Sequence, residues 1–132
     1  MAPGEHCYFD YPQARNDLPE TNNWGMPILP LRKAYDWEVD YPEVNVGKSH
    51  IQGVMGTLWG EAINDINRAF YMTYPRAMAL AEAGWTNQEY RRWEEFLDRL
   101  KPVLADMLSR GLPYRVPWEC YGRHGGNDRI IT

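Results

Sequence analysis

Two pairs of residues in this sequence, a phenol with a carboxylate and an indole with a carboxylate, have types that could carry chemistry. Tyr8 and Asp10 lie in CYFDYP, an aromatic stretch that ends on a carboxylate between two phenols before Pro12 stops it. Trp59 and Glu61 close the run IQGVMGTLWGE, residues 51–61. A carboxylate accepts hydrogen bonds from hydroxyls and a phenol donates one. An indole offers a broad apolar face on which the C–H face of a sugar ring can stack. Each residue also has a plainer role open to it. Tyr8 and Tyr11 can pack with their hydroxyls at the surface. Asp10 can cap a turn beside Pro12. Glu61 can be a first-turn acid at a helix N-terminus, and Trp59 can be core.

The elements that would position these residues read as follows. Residues 1–13 form a short extended segment. Residues 14–30 are loop-like, broken by Pro19, Gly25, Pro27 and Pro30. Leu31 to Tyr35 make a short helix, and residues 36–50 are irregular. Ile51 to Trp59 is an apolar run with interior glycines, the pattern of a buried parallel strand. Ile63, Ile66 and Phe70 then share a helical face. Pro75 interrupts, and the pattern resumes to Gly84, a suitable residue just past a helix end. Thr86 to Glu89 reads as a capping box. A helix follows, carried by Trp93, Phe96, Leu97, Leu100, Leu104 and Met107, with Pro102 expected to kink or split it and Gly111 to end it. The order is strand, loop, strand, helix, helix. Both residue pairs stand where a strand gives way to a helix or loop, which is where α/β folds carry their chemistry.

Bulk properties narrow the field. A length of 132 residues makes one domain or a piece of one. Hydrophobic residues at 44% and charged residues at 24% describe a globular chain and not a disordered one. Net charge is −4, and the basic residues from Arg91 to Arg110 alternate with acids as a solvated face, which argues against nucleic acid. No apolar run reaches a membrane span, and no signal peptide opens the chain. Aromatics at 14% fit either a ring-rich core or a sugar site, so their number alone does not decide. Cys7 and Cys120 make no disulfide framework. With His6 and His124 they match no standard zinc spacing, so unpaired thiols with neither metal nor cofactor are expected.

Several segments, taken in order, resemble one family. Tyr8-Phe9-Asp10 with Gln13 is similar to the Tyr-x-Asp motif of family 20 glycoside hydrolases, the β-N-acetylhexosaminidases. Gly53 to Glu61 resembles their Trp-x-Glu strand, and Tyr71 to Trp85 the helix after it. Ala34 to Trp37 and Gly111 to Arg115 also fit, so the likeness covers roughly residues 3–117.

The resemblance implies an α/β fold, a partial (β/α)8 barrel. It comprises roughly the last two βα units, helix-rich and completed by self-association. A whole barrel needs about 250 residues. Residues 1–118 would be the C-terminal segment of the catalytic barrel and 119–132 a flexible tail. The family reaction is retaining and substrate-assisted: the substrate's own acetamide oxygen attacks the anomeric carbon. By resemblance Tyr8 would orient that acetamide. Asp10 and Glu61 would accept hydrogen bonds from sugar hydroxyls, Trp59 would line the −1 sugar, and Trp24 would stack on the +1 sugar. The family's His-x-Gly-Gly-Asp-Glu motif, with its general acid, does not occur in this sequence; His124 to Asp128 lacks the glutamate. Activity of the chain alone is therefore open, and a non-catalytic sugar-binding or structural segment is the alternative. The implied partners are N-acetylhexosamine-containing glycans and a second copy of the chain, with no nucleic acid and no membrane. Family members are often secreted, periplasmic or lysosomal, and the sequence assigns this chain to no compartment.

Overall fold

A computed structural model describes residues 3–14, 27–39 and 48–121. Five α-helices carry these residues: α1 (Gly4–Cys7), α2 (Leu31–Tyr35), α3 (Ile66–Thr73), α4 (Arg76–Trp85) and α5 (Trp93–Ser109). Short 3-10 turns occupy Lys48–His50, Gly60–Ala62, Gln88–Tyr90 and Trp118–Tyr121.

The strand-like segments of the sequence become much less than strands. Residues Gly4–Cys7 form a helical turn, and among the described residues only Tyr8 pairs, in one parallel bridge with Thr57. The Phe9 N–H donates to the Thr57 carbonyl at 2.8 Å, and the Thr57 N–H donates to the Cys7 carbonyl at 2.9 Å. The expected buried strand over Ile51 to Trp59 is corrected accordingly. Gln52, Gly53, Met55 and Gly56 are exposed and Thr57 alone is bridged. A buried parallel strand needs partners along both edges and cover on both faces. Among the described residues, this segment has only the Tyr8 bridge on one edge.

The helical expectations hold better, with shifted ends. α3 starts at an Asp65 N-cap whose carboxylate accepts from the Arg68 N–H at 2.8 Å. α4 runs through Gly84 to Trp85, so Gly84 does not end it. Gly84 serves instead as a seat for Val54, since a β-carbon there would stand 2.5 Å from the Val54 Cγ2. The expected capping box is also corrected. Thr86 is the C-cap of α4 and its side chain bonds to Glu82, so it is not free to start the next helix. α5 begins at Trp93 and continues as one helix through Pro102. Its stripe of Phe96, Leu97, Leu100, Leu104 and Met107 is buried on both sides of the proline, and that contact keeps the helix on the core. Gly111 ends it with φ +70°. The Gly111 and Leu112 N–H groups donate to Leu108 and Met107, both at 3.0 Å, a Schellman motif.

One core joins these pieces. Cys7 and Phe9 pack with Leu29, Leu31, Ala34 and Tyr35, against Ala79 and Leu80 of α4 and the buried stripe of α5. Tyr35 packs against both Trp93 and Phe96, with ring centroids 5.0 Å from each. Arg91 closes the end of α2 by donating to the Tyr35 and Trp37 carbonyls at 2.5 and 3.0 Å. Cys120, in the last described turn, is buried in the same core. Cys7 and Cys120 are both free thiols, and burial pushes each up to about 11, so neither is a ready nucleophile. No group of residues that could hold a metal ion occurs among the described residues, nor does any helix long and apolar enough to cross a membrane.

Two measurements test this packing. Gly56 lies under Phe9 and Leu80, and an added β-carbon would overlap the Phe9 ring and stand 2.8 Å from the Leu80 Cδ2 methyl. Gly56→Ala is expected to lower stability by about 1–3 kcal/mol in urea unfolding. Glu82 and Arg99 join α4 to α5 through two bonds of 2.6 and 3.0 Å, and the Arg99 hydrogen bond holds the Glu82 carboxyl below its ordinary value of 4.5. Its contribution is present above that value and is lost as pH falls through the lowered one. Glu82→Gln is expected to cost ~0.5–1 kcal/mol at neutral pH, because Arg99 is largely exposed. The difference from wild type should vanish in acid.

Candidate functional site

The single bridge between Tyr8 and Thr57 brings together two stretches 49 positions apart (57 − 8). It sets the end of the first stretch beside the end of the second. The Tyr8 ring then lies 6.1 Å from the Trp59 ring, tilted by 57°, and 5.5 Å from the Tyr11 ring. Trp59 keeps half of its surface, at 50% exposure, so a broad indole face remains open to solvent beside a phenol. Glu61, also exposed, follows in the first turn of Gly60–Ala62.

Asp10 is the unusual member. It is 3% exposed and its Oδ1 has no hydrogen-bond partner among the described residues. Burial pushes its carboxyl above the ordinary value of 3.8. Hydrogen bonds from its own N–H and from the Trp59 N–H oppose that rise, Glu61 reinforces it, and Arg76 opposes it. The Trp59 N–H also fastens Asp10 directly to the second stretch. Tyr11 is raised as well, by burial first and then by Asp10 and Tyr8. Thr57 Oγ1 is a second buried oxygen without a partner on the bridge. The cluster thus offers an open aromatic face, a phenol, an exposed carboxylate and a dry carboxyl oxygen with a vacant lone pair. Those are the parts needed to stack a ring and accept its hydroxyls.

Of the residues expected at a site, Tyr8, Asp10, Trp59 and Glu61 come together, while Trp24 lies outside the described residues. One contributor was not anticipated as such. Arg76, at the first position of α4, is completely buried. It donates to the carbonyls of Tyr11 at 2.8 Å, Leu29 at 3.1 Å and Met72 at 2.5 and 3.2 Å, and to that of Phe9. Its signal in the sequence is an arginine inside the otherwise apolar stretch YPRAMALA, where a charge needs a reason. Gln13 also reaches across, donating from Nε2 to the Tyr71 carbonyl at 2.9 Å.

A cavity of about 780 Å³ lies elsewhere, against the C-terminal end of α4. Val39, Ile51, Trp85 and Asn87 help to line it. None of the four clustered residues touches it.

The buried Asp10 predicts a pH effect. Its folded value is raised, so the folded state binds more protons than the unfolded chain just above the ordinary aspartate value. Stability therefore falls as pH rises from that value through the raised one. Thermal unfolding across that interval should show this decline in wild type and a flattened profile in Asp10→Asn.

Comparison with known proteins adds an independent line. The profile of the glycosyl hydrolase family 20 catalytic domain matches residues 1–88. A β-hexosaminidase of Akkermansia muciniphila is 40% identical over 111 residues, 83% of this chain and 22% of that protein. A β-N-acetylhexosaminidase of Cellulomonas fimi is 34% identical over 101 residues, 76% of this chain and 20% of that protein. Among solved structures, the exo-β-N-acetylglucosaminidase of Vibrio harveyi in complex with N-acetylglucosamine superposes with a TM-score of 0.73 at 38% identity. That match covers 89% of this chain and 18% of that one. The family 20 enzyme of Streptomyces coelicolor gives a TM-score of 0.76 at 26% identity, over 88% and 23%. The chain thus spans about one fifth of the length of these relatives.

Proposed function

This chain belongs to glycosyl hydrolase family 20, and we propose that it supplies part of the −1 sugar pocket of a β-N-acetylhexosaminidase. The observation that carries this reading is the convergence of Tyr8, Asp10, Trp59 and Glu61 across one bridge. Trp59 forms the apolar wall against which the ring of a terminal β-linked N-acetylglucosamine or N-acetylgalactosamine rests. Asp10 and Glu61 accept hydrogen bonds from its hydroxyls. Tyr8 directs its hydroxyl to the acetamide oxygen. Holding that oxygen near the anomeric carbon turns the attack into an oriented intramolecular step. In this scheme the substrate brings the nucleophile, so these residues act by placement. Trp24 would extend the site toward the +1 sugar.

The chemical step also needs a proton donor for the leaving oxygen, and a general acid typically contributes about 10²–10⁴-fold. The His-x-Gly-Gly-Asp-Glu motif is absent from these 132 residues. That observation favours a second reading for the chain taken alone, a sugar-binding segment with little or no turnover. Its exposed apolar side chains, among them Met55 at 67%, Leu108 at 68% and Trp85 at 92%, support self-association as a further part of the proposal.

Titration of the 132-residue chain with N-acetylglucosamine, followed by NMR, separates these readings from a purely structural segment. Saturable shifts at Tyr8 and Trp59 are expected, reduced about tenfold or more in Trp59→Ala. No saturable shift in wild type would sink the pocket. A chromogenic N-acetylglucosaminide assay beside Asp10→Asn and Glu61→Gln decides between binding and turnover. Activity indifferent to both substitutions would belong to a contaminant.

A further inference from the structure

We infer that Arg76 is a positioning residue for this site: its guanidinium fixes the backbone on both sides of Asp10 and so holds the Tyr8–Tyr11 turn against Trp59. The inference rests on the sugar-pocket reading for its functional meaning, but its geometry stands without it. A fully buried guanidinium is costly unless its donors are satisfied. Here they are spent largely on main-chain carbonyls. Two of them, on Phe9 and Tyr11, bracket Asp10 in the sequence. Bonds to Leu29 and, twice, to Met72 anchor the same guanidinium to the chain before α2 and to the end of α3. The Phe9 ring lies beneath it at 5.4 Å.

A planar fork of five donors can hold several carbonyls at fixed angles, which a single ammonium cannot. Anchoring α4 alone would require only the Leu29 and Met72 bonds. The bonds that flank Asp10 add something else, because they set the direction in which its side chain leaves the turn. They also bring a permanent positive charge near it. Among the described residues, the titratable and charged groups that act on Asp10 are Tyr11 from its own segment, Glu61 from the Gly60–Ala62 turn and Arg76 from α4. Arg76 is the cation among them and opposes both burial and Glu61 in setting the charge of Asp10.

The test compares Arg76→Lys, Arg76→Gln and a packing control, Leu104→Ala, in the 132-residue chain. Carboxyl ¹³C NMR follows the Asp10 titration, and ring cross-peaks follow the Tyr8–Trp59 contact. Arg76→Lys keeps a charge and should keep the Asp10 midpoint near wild type. It should lose the ring cross-peaks and weaken N-acetylglucosamine binding about tenfold or more. Arg76→Gln should in addition move the Asp10 midpoint upward. Leu104→Ala should lower the melting temperature and leave midpoint and cross-peaks in place. If Arg76→Gln fails to fold, Arg76→Lys decides. Wild-type ring cross-peaks in Arg76→Lys would overturn the inference, reducing Arg76 to a packing residue. Failure of the sugar to bind wild type would overturn the pocket reading instead, and the titration and cross-peaks, which need no ligand, would still judge Arg76.

Discussion

The buried guanidinium of Arg76 is the interaction on which the rest of the structure depends. Four segments meet at it: the turn after Tyr8, the chain entering α2, the end of α3 and the start of α4. Each of the first three brings at least one carbonyl there that needs a donor. A charged donor set at their junction meets that need at one point, and charge-assisted bonds are stronger than neutral ones. The same side chain lets the irregular turn carry a carboxyl that is nearly dry. Without a cation close by, Asp10 and Glu61 would both push against ionisation of the pair.

Around that junction the apolar core does the remaining work. α2 and α4 pack together, and the α5 stripe is buried in the same core. Two arginines play parallel parts in this core. Arg76 gathers the carbonyls before α4, and Arg91 gathers those at the end of α2. In each case a planar side chain substitutes for the neighbouring strand or helix that would otherwise bond those groups.

The amphipathic stripe of α5, the short α2 and the stop at Gly111 were legible in the sequence. Each rests on local rules, either a helical period or a backbone position that suits glycine. The Tyr8, Asp10, Trp59 and Glu61 cluster was legible through motif resemblance, because periodicity does not reveal a bridge across 49 positions. The segment from Ile51 to Trp59 misled, since an apolar run with glycines describes a buried strand only if partners exist on both sides. Thr86 misled because its hydroxyl had two possible uses, and Glu82 at the end of α4 took it. Arg76 escaped notice as a site residue because its partners are carbonyls, which every residue carries and no side-chain pattern marks.

The bridge between Tyr8 and Thr57 has a consequence for how the site is registered. Neighbouring residues of an extended segment point to opposite sides, so a slip of one position exchanges what faces inward and outward. At this bridge Phe9 is buried against the bare α-carbon of Gly56, while Tyr8 turns toward Trp59. Slipping by one would drive a phenol into the hydrophobic slot over Gly56 and expose the phenylalanine. Filling that slot and aiming Tyr8 are therefore one event. The hydrophobic core, through a missing β-carbon, acts as the ruler that measures out the polar pocket.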